Sequence, residues 1–271
     1  MSRLAELRGY RTALVTGASS GLGLAFARML RDEGLEVWGA SRAPEESARR
    51  EGWHAVPMDL TDSASVRAAL VQVRREADVP DVLVNNAGAG VFAGFAHFPQ
   101  EQISRQLQLM LEAPIVLTRA FWPEMLARRR GAVVNVASLA TEFPLPGFSL
   151  YSAAKAGLSG FSRALMTEAA GGGVQVVDFE PGDFKTDFNR AAMQVPGGEP
   201  WEARVWACYE KWIEEGAAPV RAAQDLRRTL AHGRSGTVPT GLWFQTRAAL
   251  WAQKIGGRAF TRWAMRKLYR M

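Results

Sequence analysis

Up to residue 180, short apolar runs alternate with amphipathic stretches. "TALVT" (12–16) reads as a buried strand, and "GLGLAFARMLRDEG" after it as a helix closed by Gly34. Strands follow at "EVWGA" and "HAVPMD", a helix at "SASVRAALVQVRREA" and a strand at "DVLVNN". A long helical region then runs from about Gln100 to Arg130, followed by a strand at "GAVVNVAS", a helix beginning near Tyr151 and a strand at "VQVVDFE". This alternation predicts a single α/β domain, a doubly wound parallel sheet with helices on both faces. The rhythm stops after Glu180. Residues 182–219 carry Pro, Gly and aromatics without a clear period, predicting a variable loop with short helices over a ligand cleft. "VRAAQDLRRTLAHG" resumes as a helix, and "TVPTG" reads as a last strand.

Composition narrows the class. The 271 residues are 48% hydrophobic and 22% charged, ordinary for a globular chain that can bury a full core. A single cysteine, Cys208, leaves no disulfide framework, and no Cys or His cluster has metal-ligand spacing, so the chain reads as metal-free and cytoplasmic. His54, His97 and His232 lie far apart and read as structural or exposed. The N-terminal stretch lacks an apolar signal core and no run is long enough to span a bilayer, which disfavours secretion and membrane spanning. The net charge of +6 is uneven: from Leu226 to Met271 there are ten Lys and Arg and no acid, leaving net −4 in the first 225 residues. That pattern argues against nucleic-acid binding and for one localised basic feature.

The chemistry begins at "TGASSGLG" (16–23), between the first strand and the first helix. Gly17, Gly21 and Gly23 allow a tight turn, and with Ser19, Ser20 and Leu22 they bring backbone N–H groups at a helix start toward a pyrophosphate. About 20 residues on, where an acid would bond a ribose 2′-hydroxyl, stand Ser41 and Arg42. A hydroxyl and a guanidinium suit a 2′-phosphate, so NADP(H) is favoured over NAD(H). Asp59, before Leu60 at the end of the third strand, has two readings: it meets the adenine edge, or it caps the next helix.

Further along, "NNAG" stands at 85–88, Ser138 lies thirteen residues before Tyr151, "YSAAK" spans 151–155, and "PGDFKT" spans 181–186. On a helix, Tyr151 and Lys155 share one face. With the glycine turn, the order and spacing of these pieces resemble the short-chain dehydrogenase/reductase family, over roughly residues 10–240. The resemblance implies a single Rossmann-like domain that interconverts a carbonyl and an alcohol by hydride transfer, as a homodimer or homotetramer. It implies Tyr151 as acid or base, with the Lys155 cation and a cofactor positive in its oxidised form lowering the pKa of the phenol, Lys155 bonding the nicotinamide ribose, and Ser138 bonding the substrate oxygen. It also implies cofactor contacts from Asn85, Asn86, Ala87 and Gly88, from Pro181, from the Gly182 and Phe184 backbones toward the carboxamide, and from Thr186.

One position departs from the family pattern. Where the family usually has an Asn whose region holds a relay water near Lys, this chain has Met110, a thioether with weak acceptor capacity. Backbone-held water could serve, Gln108 or Glu112 could substitute, or turnover could be poor, which keeps a second reading open: a dinucleotide-binding sensor or scaffold. Six of nine tryptophans lie beyond residue 200, at 201, 206, 212, 243, 251 and 263. They fit either a large apolar substrate or packing of lid helices and a subunit interface. Residues 243–271 read as a basic amphipathic tail: "GGRAFTRWAMRKLYRM" puts Phe260, Trp263, Ala264, Leu268 and Met271 near one face, with Arg258, Arg262, Arg266 and Arg270 largely elsewhere. Such a helix lies on an anionic membrane surface or docks on its own protein.

Overall fold

The computed structural model describes residues 3–143 and 145–269. In chain order the elements begin with α1 (Leu4–Arg8), β1 (Thr12–Thr16), α2 (Gly21–Asp32), β2 (Glu36–Ser41), α3 (Glu45–Glu51), β3 (His54–Pro57) and α4 (Ser63–Ala77). They continue with β4 (Val82–Asn85), β5 (Val91–Ala93), α5 (Gln100–Leu107), α6 (Ala113–Ala127), β6 (Gly131–Val136), α7 (Ser149–Glu168) and β7 (Val174–Pro181). The last are α8 (Phe188–Ala191), β8 (Met193–Val195), α9 (Pro200–Glu215), α10 (Pro219–His232), β9 (Gly236–Thr240) and α11 (Leu250–Leu268).

The main sheet is parallel, in the order β3-β2-β1-β4-β6-β7-β9. Its central strands are covered on both faces and mostly apolar: β6 and β7 are buried along their whole length. Phe26, Leu30, Leu226 and Leu230 from α2 and α10 pack on one face. Val66, Val73, Leu117, Phe121 and Met125 from α4 and α6 pack on the other. The strand order reverses between β1 and β4, and a crevice opens there beyond the carboxyl ends of the strands.

The helical region expected from about Gln100 to Arg130 is found, running through α5, a π-helical turn at Gln108–Glu112 and α6. Two parts go beyond the sequence reading. The 182–219 segment is more ordered than a loop with short helices. Its β8 pairs with β5 in a separate two-stranded sheet, and α9, with Pro200 in its first turn, has 16 residues. Short-range patterns miss this because the β8 partner is about a hundred residues away in sequence. Finally, the tryptophans divide: Trp201, Trp206 and Trp212 join Phe92, Phe148 and Tyr209 in a lid core, whereas Trp243, Trp251 and Trp263 are exposed. The tail readings at Arg270, Met271 and the Arg258 side chain lie outside the described residues. No helix among the described residues is long and apolar enough to cross a membrane.

Candidate active site

At the end of β1, Thr16 stitches the two sides of the crevice. Its hydroxyl accepts from the Asn86 and Ala87 backbone N–H groups at 2.9 and 3.0 Å, and its carbonyl accepts from Asn86 Nδ2 at 2.9 Å. The glycine turn therefore lies directly against "NNAG". Gly17 has φ +68°, and a side chain there would meet Asn86 Nδ2 at 2.9 Å. Gly23 faces inward: a Cβ would overlap the Gly17 carbonyl oxygen and Asn86 Nδ2, so it holds the turn from behind instead of lining the crevice.

The crevice is a cleft of about 1590 Å³. Drug-sized ligands occupy pockets of roughly 300–1,000 Å³, so it has room for a dinucleotide and a second molecule. Gly17, Ser19, Ser20, Gly21 and Leu22 line it, as do Ser41, Arg42, Asp59 and Leu60 beyond β2 and β3. Asn86, Ala87, Gly88, Ser138, Tyr151 and Lys155 line it too, with Pro181, Gly182, Phe184 and Thr186 after β7.

Several sequence-stated roles change on inspection of partners. Asn85 does not reach the cleft. It is buried, and its Nδ2 donates to Asn135 Oδ1 at 2.8 Å and Thr118 Oγ1 at 3.1 Å, because consecutive strand residues point to opposite faces of the sheet. The Gly182 N–H is occupied by the Thr240 carbonyl at 2.8 Å across β7 and β9, which removes it as a carboxamide donor. The helix-capping alternative for Asp59 falls to Asp62, whose Oδ1 accepts from the Ala64 N–H at 2.8 Å. Asp59 instead accepts from the Thr61 N–H and hydroxyl at 2.9 and 2.7 Å, a local turn on the cleft wall.

The chemistry end is built from β6 and α7. Ser138 caps a short 3-10 turn, and its oxygen accepts from the Ala140 N–H at 3.1 Å, leaving its proton to donate. It also shares a hydrogen bond with Tyr151. Lys155, one turn along α7 from Tyr151, is buried and donates to the Val136 carbonyl at 2.6 Å. The sequence reading has the Lys155 cation and an oxidised cofactor drawing the phenol down; in the protein alone, burial acts on it in the other direction. Loss of water holds the Tyr151 hydroxyl above the ordinary phenol range, opposed by the Ser138 bond and assisted by the charge of Asp183. Burial also brings Lys155 down to about 8. The ammonium stands 5.8 Å from the centroid of the phenol ring.

Met110 is fully buried in the π-helical turn. Its Sδ and Lys155 Nζ lie 3.5 and 3.6 Å from the point where a Cβ on Gly88 would stand, so the thioether occupies the space beside the lysine. Gln108 and Glu112 do not line the cleft. The neighbouring amide that does is Gln106, whose Nε2 donates to the Ala89 carbonyl at 3.0 Å and whose Oε1 is buried without a partner among the described residues.

A sequence model of the family described as short chain dehydrogenase matches residues 11–195. The chain belongs to that oxidoreductase family. It is 36% identical to a 3-ketodihydrosphingosine reductase of Bacteroides thetaiotaomicron over 186 residues, 68% of each chain. Among solved structures, a short-chain dehydrogenase from Streptomyces avermitilis superposes with a TM-score of 0.81 at 29% identity, covering 96% of this chain and 97% of that one. A Sphingobium yanoikuyae short-chain dehydrogenase in complex with NADPH gives 0.72 at 25% identity, covering 92% and 94%.

The residues present fit a nicotinamide dinucleotide. The glycine cradle leaves no room for side chains at its base, and Ser41 Oγ is buried without a partner among the described residues, beside Arg42 in the same wall. Sequence reasoning missed Thr16 as the stitch, Gln106, and the Asp183–Gln245 pair, in which Gln245 Nε2 donates to Asp183 Oδ2 inside the cleft. Asp183 is visible within "PGDFKT", but nothing local announces a partner 62 residues on.

Proposed function

We propose that this chain is an NADPH-dependent carbonyl reductase in which Tyr151 delivers the proton to the carbonyl oxygen. The observation that carries this reading is the meeting of Ser138, Tyr151 and Lys155 on one cleft whose wall also holds the glycine turn, Ser41 and Arg42. When bound, the reduced nicotinamide supplies the hydride. Ser138 has its acceptor engaged by Ala140 and donates to the carbonyl oxygen, which orients the substrate. Tyr151 keeps its proton at neutral pH because its hydroxyl is desolvated, and it gives that proton up as charge develops on the oxygen. Lys155, as a cation, stabilises the phenolate left behind. Assembly as a homodimer or homotetramer accompanies this reading.

The substrate we infer is a ketone on a large apolar body. Phe148, Phe188, Tyr209, Trp212 and Met265 all line the cleft, and the Bacteroides relative is named for a 3-keto reduction. Titration with NADPH followed by a screen of short-chain and long-chain ketones tests the whole reading, and tight NADPH binding with no ketone reduced would overturn it.

Cofactor choice rests on Ser41 and Arg42. Replacing Arg42 with Ala removes a charge-assisted contact worth about 1.5–3 kcal/mol, so NADPH affinity falls by about 10- to 100-fold while NADH affinity barely moves. Equal losses for the two nucleotides would end the preference. A second reading, a dinucleotide-binding sensor with little turnover, is favoured by Met110 filling the space beside Lys155. Steady-state turnover of Met110→Asn separates the two. A clear rise marks a missing relay amide, whereas an active reductase of the first kind keeps its rate and loses stability from burying an amide at a fully enclosed site.

A further inference from the structure

Residues 242–268 do two things at once. One side roofs the cleft: Gln245, Gln253, Thr261, Met265 and Tyr269 face into it. That side is tied down by the Gln245–Asp183 bond, by Gln253 Nε2 donating to the Glu142 carbonyl at 3.1 Å, and by the Tyr269 ring 5.6 Å from that of Tyr209. The other side carries large apolar groups into solvent. Trp243, Trp251 and Trp263 are 69%, 71% and 58% exposed, and Ile255 is 69% exposed. Eight of the fourteen exposed large hydrophobic side chains among the described residues belong to this short segment, of which Leu242, Phe244, Phe260 and Leu268 stand at the cleft rim and line it as well.

Single exposed apolar residues need no explanation, but a cluster of this density marks an interaction surface. Its charge identifies the partner. Residues 243–271 contain seven Lys and Arg and no acid. Arg247, Arg262, Arg266 and Lys267 are exposed and form no ion pair among the described residues. A second copy meeting this face about a two-fold axis would bring the same cations into opposition. Protruding indoles among cations that form no ion pair among the described residues match the boundary between headgroups and acyl chains of an anionic bilayer, where aromatics settle and basic residues are drawn to the surface charge. The segment is bent at Gly257, with φ +66° inside α11, and no helix among the described residues is long and apolar enough to cross a membrane.

We propose that this segment seats the mouth of the cleft on an anionic lipid surface, and that the substrate is an amphiphile passed from that surface under the Trp243–Trp263 roof into the cleft. The substrate clause rests on the carbonyl-reductase reading, whereas the membrane clause does not.

The test uses the full chain and the variant Trp243→Ser/Trp251→Ser/Trp263→Ser, in which none of the three changed residues lines the cleft. Co-sedimentation with phosphatidylcholine vesicles, with and without phosphatidylglycerol, is the first arm. The expected result is pelleting of the parent with the anionic vesicles only, weakened by salt, and retention of the variant in the supernatant with unchanged circular dichroism and NADPH affinity. Equal partitioning of parent and variant would overturn the proposal. So would a parent that never pellets, or mass measurements showing a dimer lost in the variant without any vesicle binding. The second arm compares a water-soluble short ketone with a long-chain ketone embedded in the vesicles. The variant retains the first activity and loses the second; equal loss of both would refute the substrate clause. If no ketone is reduced at all, the carbonyl-reductase reading fails while the vesicle arm still decides the membrane clause.

Discussion

Replacing Tyr151 with Phe should abolish nearly all ketone reduction while leaving NADPH binding intact. The change deletes one oxygen and keeps the ring, which packs against Phe148 and Phe188 at centroid distances of 6.0 and 5.4 Å, so the cleft wall is preserved. The proton donor is lost, as is the hydrogen bond shared with Ser138. General acid catalysis contributes about 10²–10⁴-fold, and a fall in kcat of that size with unchanged affinity in a fluorescence titration is the expected outcome. A variant retaining more than about a tenth of the parent rate would show that the proton reaches the substrate by another route. Lys155→Met provides a contrasting case, since it removes a buried cation from the Val136 carbonyl and so disturbs geometry together with charge.

The second large effect lies behind the nucleotide turn. Gly23→Ala introduces a methyl group where the Gly17 carbonyl oxygen and Asn86 Nδ2 already stand. Neither can withdraw: the Gly17 N–H is bonded to the Ala40 carbonyl at 2.8 Å, and Asn86 is held through two hydrogen bonds to Thr16, with a third from the Ala87 N–H beside it. Overpacking of this kind costs about 1–3 kcal/mol, and the turn can relieve it only by opening. NADPH binding should therefore be lost at concentrations that saturate the parent, together with a lowered midpoint in thermal unfolding. Gly160→Ala is the control. It lies on the exposed side of α7 with nothing within 4 Å, and a helical Gly-to-Ala change there should raise stability by about 0.5–1 kcal/mol. If Gly23→Ala bound NADPH normally, the turn would be more compliant than its contacts indicate.

Most of the α/β rhythm was legible in the chain because it depends on local periodicity. The helix at 63–77 and the strand at 12–16 are found where the apolar pattern puts them. The small sheet of β5 and β8 was not legible, since two three-residue strands about a hundred residues apart carry no periodic signal. Within the candidate site, Tyr151 and Lys155 could be paired from their helical spacing, and the glycine turn from its place between strand and helix. Asn85 could not be separated from Asn86 by composition. Only the strand register decides that one amide enters the interior while its neighbour holds the turn.

By itself, then, the amino-acid sequence determined the alternation of strands and helices, the glycine turn, the shared face of Tyr151 and Lys155, and the concentration of positive charge after residue 226. These follow from backbone geometry and counting, which act over a few residues. The tertiary structure alone decided which glycine lines the cleft and which braces it, that burial acts to raise the proton affinity of Tyr151, and that the tail roofs the cleft with one side while exposing three indoles on the other. Those outcomes depend on which distant groups displace water from one another, and solvent exclusion has no expression in local spacing.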